Sequence, residues 1–141
     1  MSLQRFLDAQ KNDYAIALSE IKYGRKRSHW MWYIFPQIHG LGFSETSKFY
    51  SIKSWDEAKE YYQHPVLGKR LVEISQVLLN LSTNSAHAVF GSPDDLKLKS
   101  SMTLFASLPK TDPVFQSVLE KFFQGEEDER TLAIIRKEKQ P

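Results

Sequence analysis

The chain has 141 residues, of which 41% are hydrophobic, and it contains no cysteine. A chain of this length can bury a substantial core without disulfides, and the lack of cysteine excludes thiolate nucleophiles and cysteine-based metal sites. Its 19 Lys and Arg against 17 Asp and Glu leave a net charge of +2, too small to predict strong general binding to nucleic acids.

The N-terminal third predicts one long helix and one short helix. Apolar side chains recur every three and four residues over 3–23, and Gly24 supplies a stop, which indicates an amphipathic helix. The next apolar run, 30–35, is too short for periodicity to separate strand from helix. We favour a short helix because no alternating partner strand follows. Residues 37–47, with several glycines and serines, predict a loop.

The rest of the chain carries repeated helix start signals. Ser54 stands three residues before Glu57, which is the spacing of a capping box, and Ser92 and Asp112 each precede a proline suited to a first helical turn. The expected helices cover about 54–62, 65–81, 92–108, 112–124 and 128–137. These patterns predict a mainly α-helical fold: a single compact domain over 1–141, with its core over about 3–137. We expect about six to seven short helices of the orthogonal-bundle type.

The sequence also favours a soluble protein of the cytoplasm. Charges interrupt the N-terminal residues, so the apolar core of a secretory signal is missing. No apolar run approaches the roughly 20 residues that a membrane helix needs. We therefore expect no interaction with membranes.

The segment from Gly24 to Trp32 sets three cations, a hydroxyl and an imidazole beside two indoles. Arginine and lysine bind phosphate or carboxylate, and indole faces stack on bases, sugars or guanidinium groups. His29 is the candidate general acid or base, because histidine titrates near neutrality. Alternatively, the charges are a solvated helix end and the indoles are core. The candidate ligand-binding residues here are Arg25, Lys26, Arg27, Ser28, Trp30 and Trp32.

A second candidate segment lies within the helix expected over 92–108. Asp94, Lys97 and Ser101 stand three and four residues apart, so they share one face of that helix, and Asp95 adjoins them. We expect these four polar side chains to form the opposite wall of a pocket. The alternative is structural: the two acids cap the helix, and Asp94 with Lys97 forms an ordinary ion pair.

Metal and cofactor motifs are absent from the sequence. His29, His39, His64 and His87 include no pair at the spacing of a helical metal clamp. The glycine-rich loops that bind nucleotides in common folds are missing as well. We therefore predict no metal site and no cofactor.

Three multi-residue motifs, in the same order, resemble the bacterial domain-of-unknown-function family eighteen-ten, some members of which are labelled calpastatin-like. The resemblance runs from about Leu3 to Ile135 and implies a stand-alone, mainly α-helical domain without an assigned activity. The calpastatin label is not carried over, because calpastatin inhibitory segments are disordered and this chain has the composition of a packed core. The motifs are Gly24-Arg-Lys-Arg-Ser-His-Trp-Met-Trp32 with Phe35-Pro-Gln37, His64-Pro-Val-Leu-Gly68 with Arg70-Leu71, and Phe90-Gly-Ser-Pro-Asp-Asp-Leu-Lys97 with Ser100-Ser-Met-Thr-Leu-Phe105.

The leading functional hypothesis is a basic and aromatic cleft that binds a small anionic or nucleotide-like ligand, with turnover left open. The alternative is a module that binds a protein partner or single-stranded nucleic acid without catalysis. A third possibility is that the motifs serve the fold alone. The first hypothesis requires the two candidate segments to meet in space.

Overall fold

The computed structural model describes residues 2–139, and its regular elements are helices joined by short loops. Ile38 and Ile52 form an isolated parallel β-bridge, and the described part of the chain contains no strand. The prediction of a mainly α-helical compact domain is confirmed. The helices are α1 (Gln4–Lys22), α2 (Met31–Ile34), α3 (Glu45–Tyr50), α4 (Trp55–Gln63), α5 (Leu67–Leu79), α6 (Ala86–Phe90), α7 (Asp94–Ala106), α8 (Val114–Phe123) and α9 (Glu129–Lys139).

The described residues form nine helices, so the prediction of six to seven was wrong. The additional helices, α3 and α6, have six and five residues, too few to show a helical period in the sequence. Each begins at a capping serine. The Oγ of Ser44 accepts a hydrogen bond from the amide of Ser47, and the Oγ of Ser85 accepts one from Ala88. Helix α3 therefore begins inside the segment predicted as a loop. The orthogonal arrangement of the helices stays a prediction.

The start of α7 differs from the prediction by one residue. Pro93 occupies the N-cap position, and the helix begins at Asp94. Ser92, the predicted cap, instead donates its hydroxyl to the carboxylate of Asp95 at 3.2 Å. Ser92 therefore lies one position before the N-cap, and its hydroxyl binds the first-turn acid instead of accepting from a helix amide.

One cluster of buried apolar side chains connects the helices. Helix α8 packs against α5 and α7, and α1 packs against α5. The indole of Trp30 is 1% exposed, so this candidate ligand-binding residue lies in the core. Among residues 2–139, no helix has both the length and the apolar content needed to cross a membrane. The largest fully buried side chains include Trp30, Tyr61, Phe6, Phe35, Phe105 and Phe115.

Arg5 fastens α1 to the end of α3, to the first turn of α4 and to the residues between them. Its Nη2 donates to Glu57 at 2.6 Å and to the carbonyl of Ser51 at 2.9 Å, and its Nε donates to the carbonyl of Phe49 at 3.0 Å. Both Arg5 and Glu57 are 8% exposed. This buried ion pair fixes the chain next to Ile52, which carries one side of the β-bridge.

Trp55 fastens the last helix to the first turn of α4. Its backbone amide donates to the carboxylate of Glu138 at 2.7 Å, and its indole Nε1 donates to Ser107 at 3.1 Å. The amines of Lys59 and Lys139 lie 4.5 and 4.7 Å from the ring centroid. The indole therefore joins α4, α7 and α9 through cation–π contacts and hydrogen bonds.

Candidate ligand-binding site

Glu20, near the C-terminal end of α1, organises the basic and aromatic segment. Its Oε1 accepts from the amides of Arg27 and Ser28 at 2.8 and 3.0 Å and from the indole of Trp30 at 2.8 Å. Its Oε2 accepts from the hydroxyl of Ser28 at 2.5 Å. Burial by itself raises the pKa of Glu20, but these hydrogen bonds outweigh it and lower the pKa from 4.5 to about 2. The ionised carboxylate therefore holds residues 27–30 against the end of α1.

The three cations of this segment do not face one site. The amide of Lys26 donates to the carbonyl of Val89 at 2.7 Å, and only 9% of its side chain is exposed. Arg25 and Arg27, on either side, are exposed. Alternating burial of this kind is typical of extended backbone, in which successive side chains point to opposite faces.

Asp94 joins the two candidate segments. Its Oδ2 lies 3.0 Å from the amine of Lys26, and its Oδ1 lies 3.4 Å from the amine of Lys97. Each lysine also lies over an indole: Lys26 is 5.1 Å from the Trp30 ring centroid, and Lys97 is 5.4 Å from that of Trp32. These five residues from the two segments therefore meet, as the ligand-site hypothesis requires.

A cleft of about 360 Å³ lies beside this cluster, and we call it the α7 cleft. Its cations are Lys97, Lys99 and Arg130, and Asp128 adds a carboxylate. An adjoining hollow is lined by the half-buried Trp32 and shares three residues with the cleft, so the indole borders the same region. The other lining residues are Gln37, Leu41, Gly42, Ser47, Pro93, Leu96 and Ser100.

Neighbouring groups hold several charges of the α7 cleft in place. The amine of Lys99 lies 3.6 Å from the carboxylate of Glu126. Asp128 accepts from the amide and the hydroxyl of Thr131 at 3.0 and 2.5 Å, so it caps the start of α9. Arg130, in the first turn of α9, is exposed. Lys97 and Lys99 thus have neighbouring carboxylates, whereas Arg130 forms no ion pair among residues 2–139 and offers a free positive charge to an anion.

Arg25 and Arg27 line a different cleft, of about 490 Å³. It lies at the C-terminal end of α1, where Ser19, Glu20 and Tyr23 complete the lining. The two clefts have no lining residue in common. The structure therefore divides the predicted basic residues between two surfaces.

Three of the four predicted wall residues, Asp94, Asp95 and Ser101, line neither cleft in the described part of the chain. The carboxylate of Asp95 accepts from the amide of Leu96 at 2.9 Å and lies 3.7 Å from the imidazole of His87. Ser101 is fully buried, and its hydroxyl has no hydrogen-bond partner among the described residues. Contact of these three residues with a ligand stays a prediction.

His29 also lies outside both clefts. Its side chain is exposed, and its backbone carbonyl accepts from the hydroxyl of Tyr33 at 3.3 Å. Its role as a general acid or base stays a prediction. Over residues 2–139, no group of three or more acidic or histidine side chains is arranged to hold a metal ion.

Sequence reasoning missed Glu20 and the contribution of α9 to the cleft. An acid in the last turn of a helix opposes the helix dipole, and this unfavourable placement of Glu20 was an available signal. Arg130 and Asp128 lie about 30 residues beyond the motif that contains Lys97. Only the packing of α9 against α7 brings them to the cleft, so no local pattern could reveal them.

Comparison with known proteins agrees with the resemblance noted in the sequence. A family model described as "Protein of unknown function (DUF1810)" matches residues 1–135. The crystal structure of the conserved hypothetical protein Rv1873 from Mycobacterium tuberculosis is similar, with 45% sequence identity and a TM-score of 0.93, covering 95% of this chain and 96% of that chain. No curated protein matches the chain. The chain therefore belongs to the DUF1810 family of proteins of unknown function.

Proposed function

We propose that the protein binds a small anionic ligand in the α7 cleft. The observation that carries this proposal is the convergence of Lys97, Lys99 and Arg130 on one concave surface of about 360 Å³. That volume lies within the range of roughly 300–1,000 Å³ found for small-molecule sites. Two of the three cations come from α7 and the third from α9, so the fold, rather than a local charge run, assembles the group.

Lys97 is placed to change partners when an anion enters the cleft. Its pairing with Asp94 is an i,i+3 contact at 3.4 Å, with 24% of the lysine side chain exposed. Such a pair stabilises a helix by only about 0.2–0.5 kcal/mol. A phosphate or carboxylate in the cleft therefore competes readily for the amine, while Lys26 keeps its shorter contact with Asp94.

The apolar part of the lining supports a ligand that combines an anion with a ring, as a nucleotide does. Leu41, Pro93 and Leu96 lie beside the cations, and Leu96 is 60% exposed although it is apolar. The indole of Trp32 borders the adjoining hollow. An apolar ring would cover these side chains while its anionic substituent meets the amines.

We also propose that the protein binds this ligand in the bacterial cytoplasm. The bacterial part of this proposal is supported by the similar structure from Mycobacterium tuberculosis. Catalysis by His29 is left out of the proposal, since the imidazole lines neither cleft.

Calorimetric titration with AMP, inorganic phosphate and adenosine tests the proposal. We expect AMP to bind more tightly than phosphate, and adenosine to bind least. Lys97→Ala and Arg130→Ala should each weaken AMP binding about tenfold or more, because charge-assisted hydrogen bonds contribute about 1.5–3 kcal/mol.

Arg136→Ala is the matched control, because Arg136 is also exposed on α9 and does not line the cleft. It should leave AMP binding unchanged. Absence of binding by both AMP and phosphate at millimolar concentration would refute the proposal, and so would equal weakening by the control.

A further inference from the structure

Two large apolar side chains are exposed on one face of α1. Ile16 is 46% exposed and Tyr23, at the end of the helix, is 88% exposed. They stand seven positions apart, so they lie on the same face about two turns from each other. Ser19, between them, is exposed as well. We call this face, together with Arg25 and Arg27, the α1 surface.

The α1 surface carries unbalanced positive charge. Arg25 and Arg27 are exposed, and within residues 2–139 neither forms an ion pair. Glu20 is the acid that lines the cleft beside Arg25 and Arg27. Its carboxylate already accepts hydrogen bonds from residues 27–30. Both guanidinium groups therefore keep their capacity for bidentate binding of carboxylates.

The exposure of these side chains argues against a small ligand. Small-molecule sites bury about 70–90% of their ligand, whereas Tyr23 and both arginines project into solvent. Nucleic acids gain affinity from many phosphate contacts, and this surface offers two cations in a chain of net charge +2. Tyrosine and arginine are, in contrast, the residues that dominate binding energy at protein interfaces.

We propose that the α1 surface docks an acidic segment of a protein partner. Carboxylates of that segment bind Arg25 and Arg27, and one of its apolar side chains packs on Tyr23 and Ile16. This surface has no lining residue in common with the α7 cleft, so the inference does not depend on the ligand proposed for that cleft.

Fluorescence anisotropy with a labelled peptide of repeated Glu-Glu-Leu tests the inference. We expect the peptide to bind the full chain, and a companion peptide with Gln in place of Glu to bind at least tenfold less tightly. The double variant Arg25→Ala/Arg27→Ala should weaken binding of the acidic peptide at least tenfold, and Tyr23→Ala severalfold. Arg27 holds Glu20 through its backbone amide, so the double variant keeps that hydrogen bond and should melt like the parent.

The charge-matched control is Lys69→Ala/Arg136→Ala, which removes two exposed cations outside the α1 surface. It should bind the acidic peptide like the parent. Equal weakening by this control would overturn the inference, because it would show nonspecific charge attraction. Binding of labelled oligothymidylate in preference to the peptide would overturn it in favour of nucleic acid. Absence of binding to the acidic peptide at low salt would also overturn the inference. Lys97→Ala, which tests the α7 cleft, should leave peptide binding unchanged.

Discussion

The indole of Trp30 donates to the carboxylate of Glu20 at 2.8 Å and thereby connects a core side chain to the end of α1. Trp30 is 1% exposed, whereas Glu20 is half-buried. The same carboxylate receives two backbone amides of the following loop. Core packing and loop position thus depend on one charge.

Replacing Glu20 with Gln should destabilise the protein by about 2–3 kcal/mol. Glutamine keeps the volume but loses the charge, and hydrogen bonds to charged groups contribute about 1.5–3 kcal/mol each without being additive. Urea unfolding followed by tryptophan fluorescence measures the change. Glu120→Gln, at an exposed position on α8, is the control and should change stability by less than about 0.5 kcal/mol. A loss for Glu20→Gln no greater than that of the control would contradict the role of Glu20.

The stabilisation from Glu20 should disappear in acid. Because the folded state lowers its pKa from 4.5 to about 2, the contribution is complete above pH 4.5 and is lost as the pH falls toward 2. The difference in unfolding free energy between the parent and Glu20→Gln should therefore shrink across that interval. Chemical denaturation at a series of pH values measures it, and a difference that stays constant from pH 5 to pH 2 would count against the lowered pKa.

Removal of the charge on Asp94 should leave Lys26 without a counter-ion. The Lys26 side chain is 9% exposed, so Asp94→Asn should cost about 2–3 kcal/mol, somewhat less than for a fully buried pair. The double variant Lys26→Met/Asp94→Asn should lose less unfolding free energy than the two single variants lose together. We expect the difference to be about 1 kcal/mol or more. Asp56→Asn, which breaks an exposed pair with Lys59, is the control and should be nearly neutral. Strict additivity in the cycle would show that the pair is not coupled.

Arg5→Met should loosen the segment that ends at the β-bridge. The substitution leaves Glu57 buried without its guanidinium partner, at a cost of about 3 kcal/mol. The amides of His39 and Ile52 donate across the bridge at 2.8 Å, and we expect both to exchange with deuterium faster in the variant. Arg136→Met, at an exposed site, should leave both rates unchanged. Unaltered exchange in Arg5→Met would show that the bridge does not depend on the ion pair.

Gly68→Ala should be among the most damaging single-methyl additions. A Cβ at this position would lie 1.8 Å from the carbonyl oxygen of Tyr62, a backbone atom that cannot move aside freely. We expect a loss of about 3 kcal/mol, at the upper end of overpacking effects. Thermal unfolding measures this loss of stability. The control is Lys69→Ala, at the adjacent exposed position. A melting temperature within a few degrees of the parent would show that α4 and α5 can separate to admit the methyl group.

The sequence predicted the long helices well because their apolar periods and caps are local signals. The helix expected over 3–23 is α1 (Gln4–Lys22), and the short apolar run contains α2 (Met31–Ile34). At α4 the predicted cap is present, since the hydroxyl of Ser54 accepts from the amide of Glu57 at 3.0 Å. Helices of five or six residues left no such period, so α3 and α6 were missed.

The site was predicted in part, for a similar reason. Lys97 and Trp32 were identified from residue type and spacing, and both border the region of the α7 cleft. The separation of Lys26 from Arg25 and Arg27 depends on the backbone after α1, which composition does not encode. The charges from α9 depend on tertiary packing. Local pattern therefore indicated the chemistry of the residues but not their division between two surfaces.

The contact between Trp55 and Glu138 also bears on how the protein is made. These residues are 83 positions apart, yet the carboxylate of Glu138 receives the first amide of α4. On a ribosome the N-terminal end emerges first, so α4 emerges before the residue that accepts this hydrogen bond. A nascent chain halted before Glu138 therefore lacks the acceptor of the first α4 amide, while Ser54 already caps the amide of Glu57.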